Sequence, residues 1–178
     1  PLILTPVLIM CLELIIDPAC SIVFEMEPEE EDIMRRPPRD PSVSILNKRL
    51  FLISLLQGIA ILAVVLAVFG GNYFYNGETE LHARTLTFAT LILANLGLIL
   101  SMRSHTRSLF ESLRTPNPAT WWVVGSAFAG LIALLSVPFL RSLFRFSALS
   151  PLDFVICTIA GFVSILLFES MKLRTRHH

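Results

Sequence analysis

Apolar residues run along this chain in five long blocks separated by polar, Pro-rich or charged stretches, and the blocks rather than any shorter period set the architecture. The blocks are Leu2–Phe24, Leu50–Phe69, Thr85–Met102, Trp121–Leu140 and Leu152–Phe168. Each approaches the roughly 20 residues that cross about 30 Å of hydrocarbon. The second, LFLISLLQGIAILAVVLAVF, carries no charge, whereas the fifth is short and has Asp153 at its edge. Lipid offers no partner for backbone N–H and C=O groups, so all five are predicted to be helices. The fold class predicted is an all-α integral membrane bundle of five transmembrane helices.

Between the blocks, Glu25–Lys48 is long and strongly patterned, acidic EMEPEEED followed by basic, Pro-rich IMRRPPRDP. Pro37 and Pro38 bar a continuous helix there and favour an extended path. It reads either as a solvated loop or as a docking surface for a cytosolic domain. Asn72–Ala83, with its Asn76-Gly77 turn signal, is predicted to be a short loop on the other side. Trp121 and Trp122 follow TPNPAT and fit an interfacial anchor.

Composition agrees with the blocks: 54% of the 178 residues are hydrophobic and 16% charged, with a mean hydropathy of +0.70, too apolar for an ordinary soluble domain. A net charge of +0 gives no concentrated basic face, so no nucleic-acid partner is expected. Placement of the basic residues orients the bundle. Arg35, Arg36, Arg39, Lys48, Arg49, Arg103, Arg107, Arg114, Lys172, Arg174 and Arg176 all fall on one predicted side, against Arg84, Arg141 and Arg145 on the other. The positive-inside bias then puts the C-terminus in the cytoplasm and the start of the first span outside. That start, PLILTP, lacks an initiator Met and the features of a secretory signal, and reads as the edge of a longer protein. His177 and His178 read as the stub of a purification tag and carry no function.

Glu13 and Asp17 are what packing alone does not account for. An ionised carboxylate near the bilayer centre costs several kcal/mol unless paired or hydrated. A spacing of four stacks both on one helix face, where they repel unless a cation or proton intervenes. Hard cations favour such clustered oxygens, supplemented by backbone carbonyls. Pro18 has no N–H, so the carbonyl of Leu14 loses its helical partner, and the helix is predicted to kink or unwind across Leu14–Pro18. Gln57 and Asn95 are further polar positions, either interhelical hydrogen-bonding groups or neutral oxygen ligands. Glu169 is predicted to pair with Lys172. His82 and His105 fall in predicted loops and are assigned no metal. Cys11, Cys20 and Cys157 form no CxxC or Cys/His pattern and read as buried thiols.

Pro6–Arg39, PVLIMCLELIIDPACSIVFEMEPEEEDIMRRPPR, resembles the sixth membrane helix and following cytoplasmic loop of the P-type cation-transporting ATPases, nearest the calcium pumps and their bacterial relatives. The ending Asp32–Arg39 is the specific marker of the resemblance. The ungapped register places Asp17 on the family's cation-ligand Asp, Glu13 where calcium pumps carry Asn, and Ile16 where they carry a Thr ligand. Asn95 falls at the position of a calcium-pump Glu ligand. The resemblance implies that residues 1–176 are a C-terminal transmembrane domain, helices six to ten, of a pump in a bacterial plasma membrane. It implies metal ligands at Glu13, Asp17 and Asn95, with the Leu14 carbonyl as a backbone candidate. A coupling loop would contain Asp32, Arg35, Arg36 and Arg39. The cargo implied is a cation, with calcium the family's example, and ATP and Mg2+ would belong to the full-length pump. Its partners would be the lipid bilayer and the earlier helices and cytosolic domains of the same pump. Neither the DKTG phosphorylation motif nor TGE occurs here, so this portion by itself is expected not to split ATP. Two other classes stay open on the carboxylates and loop: a gradient-driven carrier using Glu13 and Asp17 as a relay, and a non-transporting anchor whose loop binds a partner.

Overall fold

A computed structural model describes residues 4–26, 34, 48–102 and 118–176. Its elements are α1 (Pro6–Glu25), α2 (Lys48–Gly70), α3 (Glu80–Met102), α4 (Pro118–Ser136), the short α5 (Pro138–Leu143) and α6 (Pro151–Arg176). Among the described residues there is no strand. Five helices are long and apolar enough to cross a membrane, covering Pro6–Glu25, Phe51–Tyr75, Glu80–Met102, Pro118–Ser136 and Pro151–Phe168.

The predicted boundaries shift in four places, each for a local reason. The helix of α2 continues past Phe69 through a π-helical turn, Gly71–Tyr75. With α3 starting at Glu80, most of the predicted loop Asn72–Ala83 is therefore helical. Asn72 stabilises that turn from within, its amide donating to the Val68 carbonyl at 2.8 Å. The predicted span Trp121–Leu140 breaks at Val137, which has an extended backbone (φ −77°, ψ 118°). A residue before proline is pushed out of the helical region, and Pro138 is well suited to the first turn of the next helix. Arg145 follows α5 in the left-handed region with φ 54°, and the Phe146 N–H donates back to the Arg141 carbonyl at 2.8 Å.

The fourth shift concerns Pro18. The helix was expected to be interrupted across Leu14–Pro18, yet α1 runs unbroken from Pro6 to Glu25 with Pro18 inside it. One missing N–H removes one hydrogen bond, and the bonds on either side suffice to carry the helix through, as membrane helices commonly tolerate. Only the Leu14 carbonyl is deprived of its i+4 donor, so no unwound stretch of carbonyls is presented.

The third helix is the axis of the bundle: 67% of its apolar window is buried, against 17% for α1 and for α2. It touches α1, α2, α4 and α6. Phe88, Leu86 and Ile92 on α3 meet Leu8 and Val23 of α1, Val123 and Leu131 of α4 and Cys157 of α6 in one core. A smaller core joins Ile61 and Val65 of α2 to Ala94 of α3 and Phe168 of α6. Because lipid is as apolar as leucine, what holds membrane helices together is close packing more than removal of apolar surface from water. The closest approach is between α3 and α6, where two glycines admit opposing side chains. A Cβ on Gly97 would lie 2.4 Å from Ile165 Cγ1, and one on Gly161 would lie 3.0 Å from Leu93 Cβ. On α3 the Thr85 and Thr87 hydroxyls donate back to the carbonyls of Leu81 and Ala83 of the same helix at 2.8 and 2.7 Å.

Candidate cation site and its setting

Each turn of α1 sends one side into the bundle. Leu8, Ala19 and Val23 are buried, and Leu12 and Ile15 pack against the same core. At 100° per residue, Asp17 falls nearly opposite that side and Glu13 about 120° from it, and both are exposed within this chain. They are the eighth and twelfth residues of a 20-residue helix. A rise of about 1.5 Å per residue puts them roughly 10 and 17 Å along a path of about 30 Å, hence in its middle third. Two carboxylates at mid-membrane facing lipid would cost about 2.5–3.5 kcal/mol each. This face is therefore built to meet something polar. The Leu14 carbonyl, lacking a donor from Pro18, belongs to the same turn.

Asn95 sits half-buried on α3. Its amide nitrogen donates to the Leu91 carbonyl at 2.9 Å, which leaves the side-chain oxygen as the end with ligand chemistry. The structure brings Glu13 and Asp17 together by helical register, while Asn95 stands on a different helix from the exposed carboxylate face. Among the described residues no three His, Cys, Asp or Glu side chains gather into a metal-holding group. The coupling-loop residues Asp32, Arg35, Arg36 and Arg39 lie outside the described residues, as do His105 and the side chain of Glu169. Gln57 is 5% exposed with its side-chain oxygen unpartnered, a buried polar group on α2.

A second polar cluster, which sequence reasoning missed, joins the first turns of α3 and α6 to the connection between α5 and α6. The His82 ring lies with Nε2 3.4 Å from Asp153 Oδ1 and Nδ1 2.9 Å from Ser147 Oγ. The Ser147 N–H donates to Thr85 Oγ1 at 3.0 Å. Asp153 also caps its own helix: its Oδ2 accepts from the Ser150 N–H at 2.6 Å, and its N–H donates to Ser150 Oγ at 3.3 Å. That reciprocal pair is a capping box, and the letters SPLD ahead of an apolar run spell it out. The histidine's partners lie too far away in sequence for any spacing rule to reveal them.

Residues 1–174 match the family model for the C-terminus of cation-transporting ATPases. The calcium-transporting ATPase type 2C member 2 of Mus musculus is 29% identical over 165 residues, which is 93% of this chain and 18% of that protein. A calcium-transporting ATPase of Bacillus subtilis is 29% identical over 160 residues, 88% of this chain and 17% of that protein. The human calcium-transporting ATPase type 2C member 1 is 31% identical over 145 residues, 82% of this chain and 16% of that protein. The chain spans less than a fifth of the length of these relatives. With a match running over nearly its whole length, the chain belongs to the cation-transporting P-type ATPases, as the C-terminal membrane region of that family.

Proposed function

We propose that this chain forms one wall of the transmembrane cation path of an ATP-driven pump, with Asp17 and Glu13 as its acidic ligands. The observation that carries the reading is the position of the two carboxylates, mid-membrane on α1 and turned away from the other described helices. Hard cations take clustered carboxylate oxygens, and helices from the rest of the pump would close the site from that open face. Asn95 adds a neutral oxygen from α3, and the Leu14 carbonyl a backbone one. The relatives named as calcium-transporting make Ca2+ the first cargo to test. Glu13, standing where the calcium pattern has Asn, gives this site an additional negative charge.

In this reading ATP and Mg2+ act on cytosolic domains of the same polypeptide. The loop containing Asp32, Arg35, Arg36 and Arg39 lies beneath those domains and passes on their movement, and the C-terminus is cytoplasmic in a bacterial plasma membrane. The deciding experiment is Asp17→Asn in the full-length pump, a substitution that keeps shape and removes charge. It is expected to abolish cation-dependent phosphorylation from ATP while leaving expression intact. Wild-type cation affinity in that variant would remove Asp17 from the site.

A further inference from the structure

The His82 cluster has a property that the cation path does not use: the contact between its ring and Ser147 can be made in either charge state of the ring. With a neutral ring, the Ser147 hydroxyl donates to Nδ1, and Nε2 stands 3.4 Å from Asp153 Oδ1. With a protonated ring, Nδ1–H donates to Ser147 Oγ, and the hydroxyl turns to the Ala148 carbonyl at 3.3 Å. No heavy atom has to move. What changes is that the protonated ring faces Asp153 as an ion pair at 3.4 Å rather than as an uncharged neighbour. Both side chains are largely covered, at 16% and 12% exposure, so screening by water is reduced.

Among the described residues, the other charged groups at this end of the bundle are Glu78 before α3, Glu80 and Arg84 on α3, and Arg141 and Arg145 around α5. Glu80 and Arg84 are paired with each other at 2.7 Å. The Thr79 hydroxyl accepts from the His82 backbone N–H at 3.3 Å, so the histidine is also held at its own main chain. Histidine is the side chain whose ordinary titration falls between pH 5 and 8.

We propose that His82 is a proton-operated clasp: when protonated it ties α3, the α5–α6 connection and α6 together at this face of the membrane, and when neutral it gives up the ionic part of that hold. The pair it fastens is the one interlocked farther along by Gly97 and Gly161, and α3 is also the helix that carries Asn95. Proton activity on the side of the membrane that this end faces thereby sets how firmly the ends of α3 and α6 are joined.

The test is amide hydrogen exchange on the full-length protein in nanodiscs, without transported cation or ATP, so that its outcome is independent of the pumping proposal. Protection factors, corrected for intrinsic exchange, are compared at pH 6 and pH 8 over residues 79–90 and 146–156. The wild type is expected to be about 2- to 5-fold more protected at pH 6, the range for one incompletely buried ion pair. His82→Gln and Asp153→Asn should each erase that difference, and the double variant should erase no more than either alone. Equal protection of the wild type at both pH values overturns the clasp whatever the variants do, so a variant that fails to fold does not shelter it. Full retention of the pH difference in His82→Gln or in Asp153→Asn overturns it as well.

Discussion

Adding a single methyl group at Gly97 tests the packing of α3 on α6 more sharply than any large substitution. The new Cβ would stand 2.4 Å from Ile165 Cγ1 and 2.9 Å from Cδ1, where carbon atoms ordinarily rest about 3.5–4.0 Å apart. Roughly 1 Å must be found. Ile165 is β-branched on a helix and has one strongly preferred rotamer, so the room comes from an off-rotamer side chain or from separation of the helices. Overpacking of this kind costs about 1–3 kcal/mol, and exchanging a helical glycine for alanine returns up to about 1 kcal/mol. The net expectation for Gly97→Ala is a loss of about 1–2 kcal/mol. Ile165→Ala in the same molecule removes both clashing atoms and leaves Cβ at 3.8 Å, an ordinary contact. The double variant should therefore recover more than additivity allows, by about 1 kcal/mol or more.

Cys157 offers the readout. It is 1% exposed and its thiol donates to the Leu86 carbonyl at 3.5 Å, so it bridges the same two helices. With Cys11 and Cys20 replaced by alanine, labelling of Cys157 by a thiol-reactive dye during heating reports the opening of α3 from α6. Gly97→Ala should lower the labelling midpoint by several degrees at about 2–4 °C per kcal/mol. A midpoint equal to or above the wild type, or an Ile165→Ala change that adds to the loss instead of relieving it, would refute the close approach.

Two further expectations concern the site and its orientation. In the full-length pump, Glu13→Gln should weaken the cation dependence of phosphorylation and alter which ion is accepted, with Glu169→Gln as a control near wild type; identical ion preference in Glu13→Gln and the wild type would count against Glu13 as a ligand. Single cysteines at Ser42 and Asn76 should label from opposite sides of the membrane in intact cells, and labelling from one side would overturn the assigned topology.

The five spans were legible because an apolar run of membrane length has one solution in lipid, a helix that bonds its own backbone. Where each helix stops was less legible. Asn76-Gly77 marks a genuine turn, but the π-helical segment before it rests on Asn72 bonding back to Val68, a contact that composition does not announce. Pro18 misled in one direction and Pro138 in the other. Proline removes the same donor at both positions, yet α1 continues through the first while the chain breaks just ahead of the second. Glu13 and Asp17 were legible as a pair from their spacing, since register alone places them on one face. That the face is the open one depends on which residues of α1 the other helices bury. The apolar run places the start of the third span at Thr85 and so leaves His82 in a loop, whereas the helix starts at Glu80; its partner Ser147, 65 positions away in the chain, is beyond the reach of any spacing rule.

The central place of α3 also has a consequence for biosynthesis. This helix carries Arg84, Thr85, Thr87, Thr90 and Asn95, and it leaves the ribosome before α4 and α6, two of the helices that cover it. Until α6 is made, the groove that Gly97 opens for Ile165 is empty and the carboxylate that meets His82 does not yet exist. A nascent chain stopped short of residue 150 would thus hold its central span, with the polar side chains along it, without the neighbour it packs against most extensively.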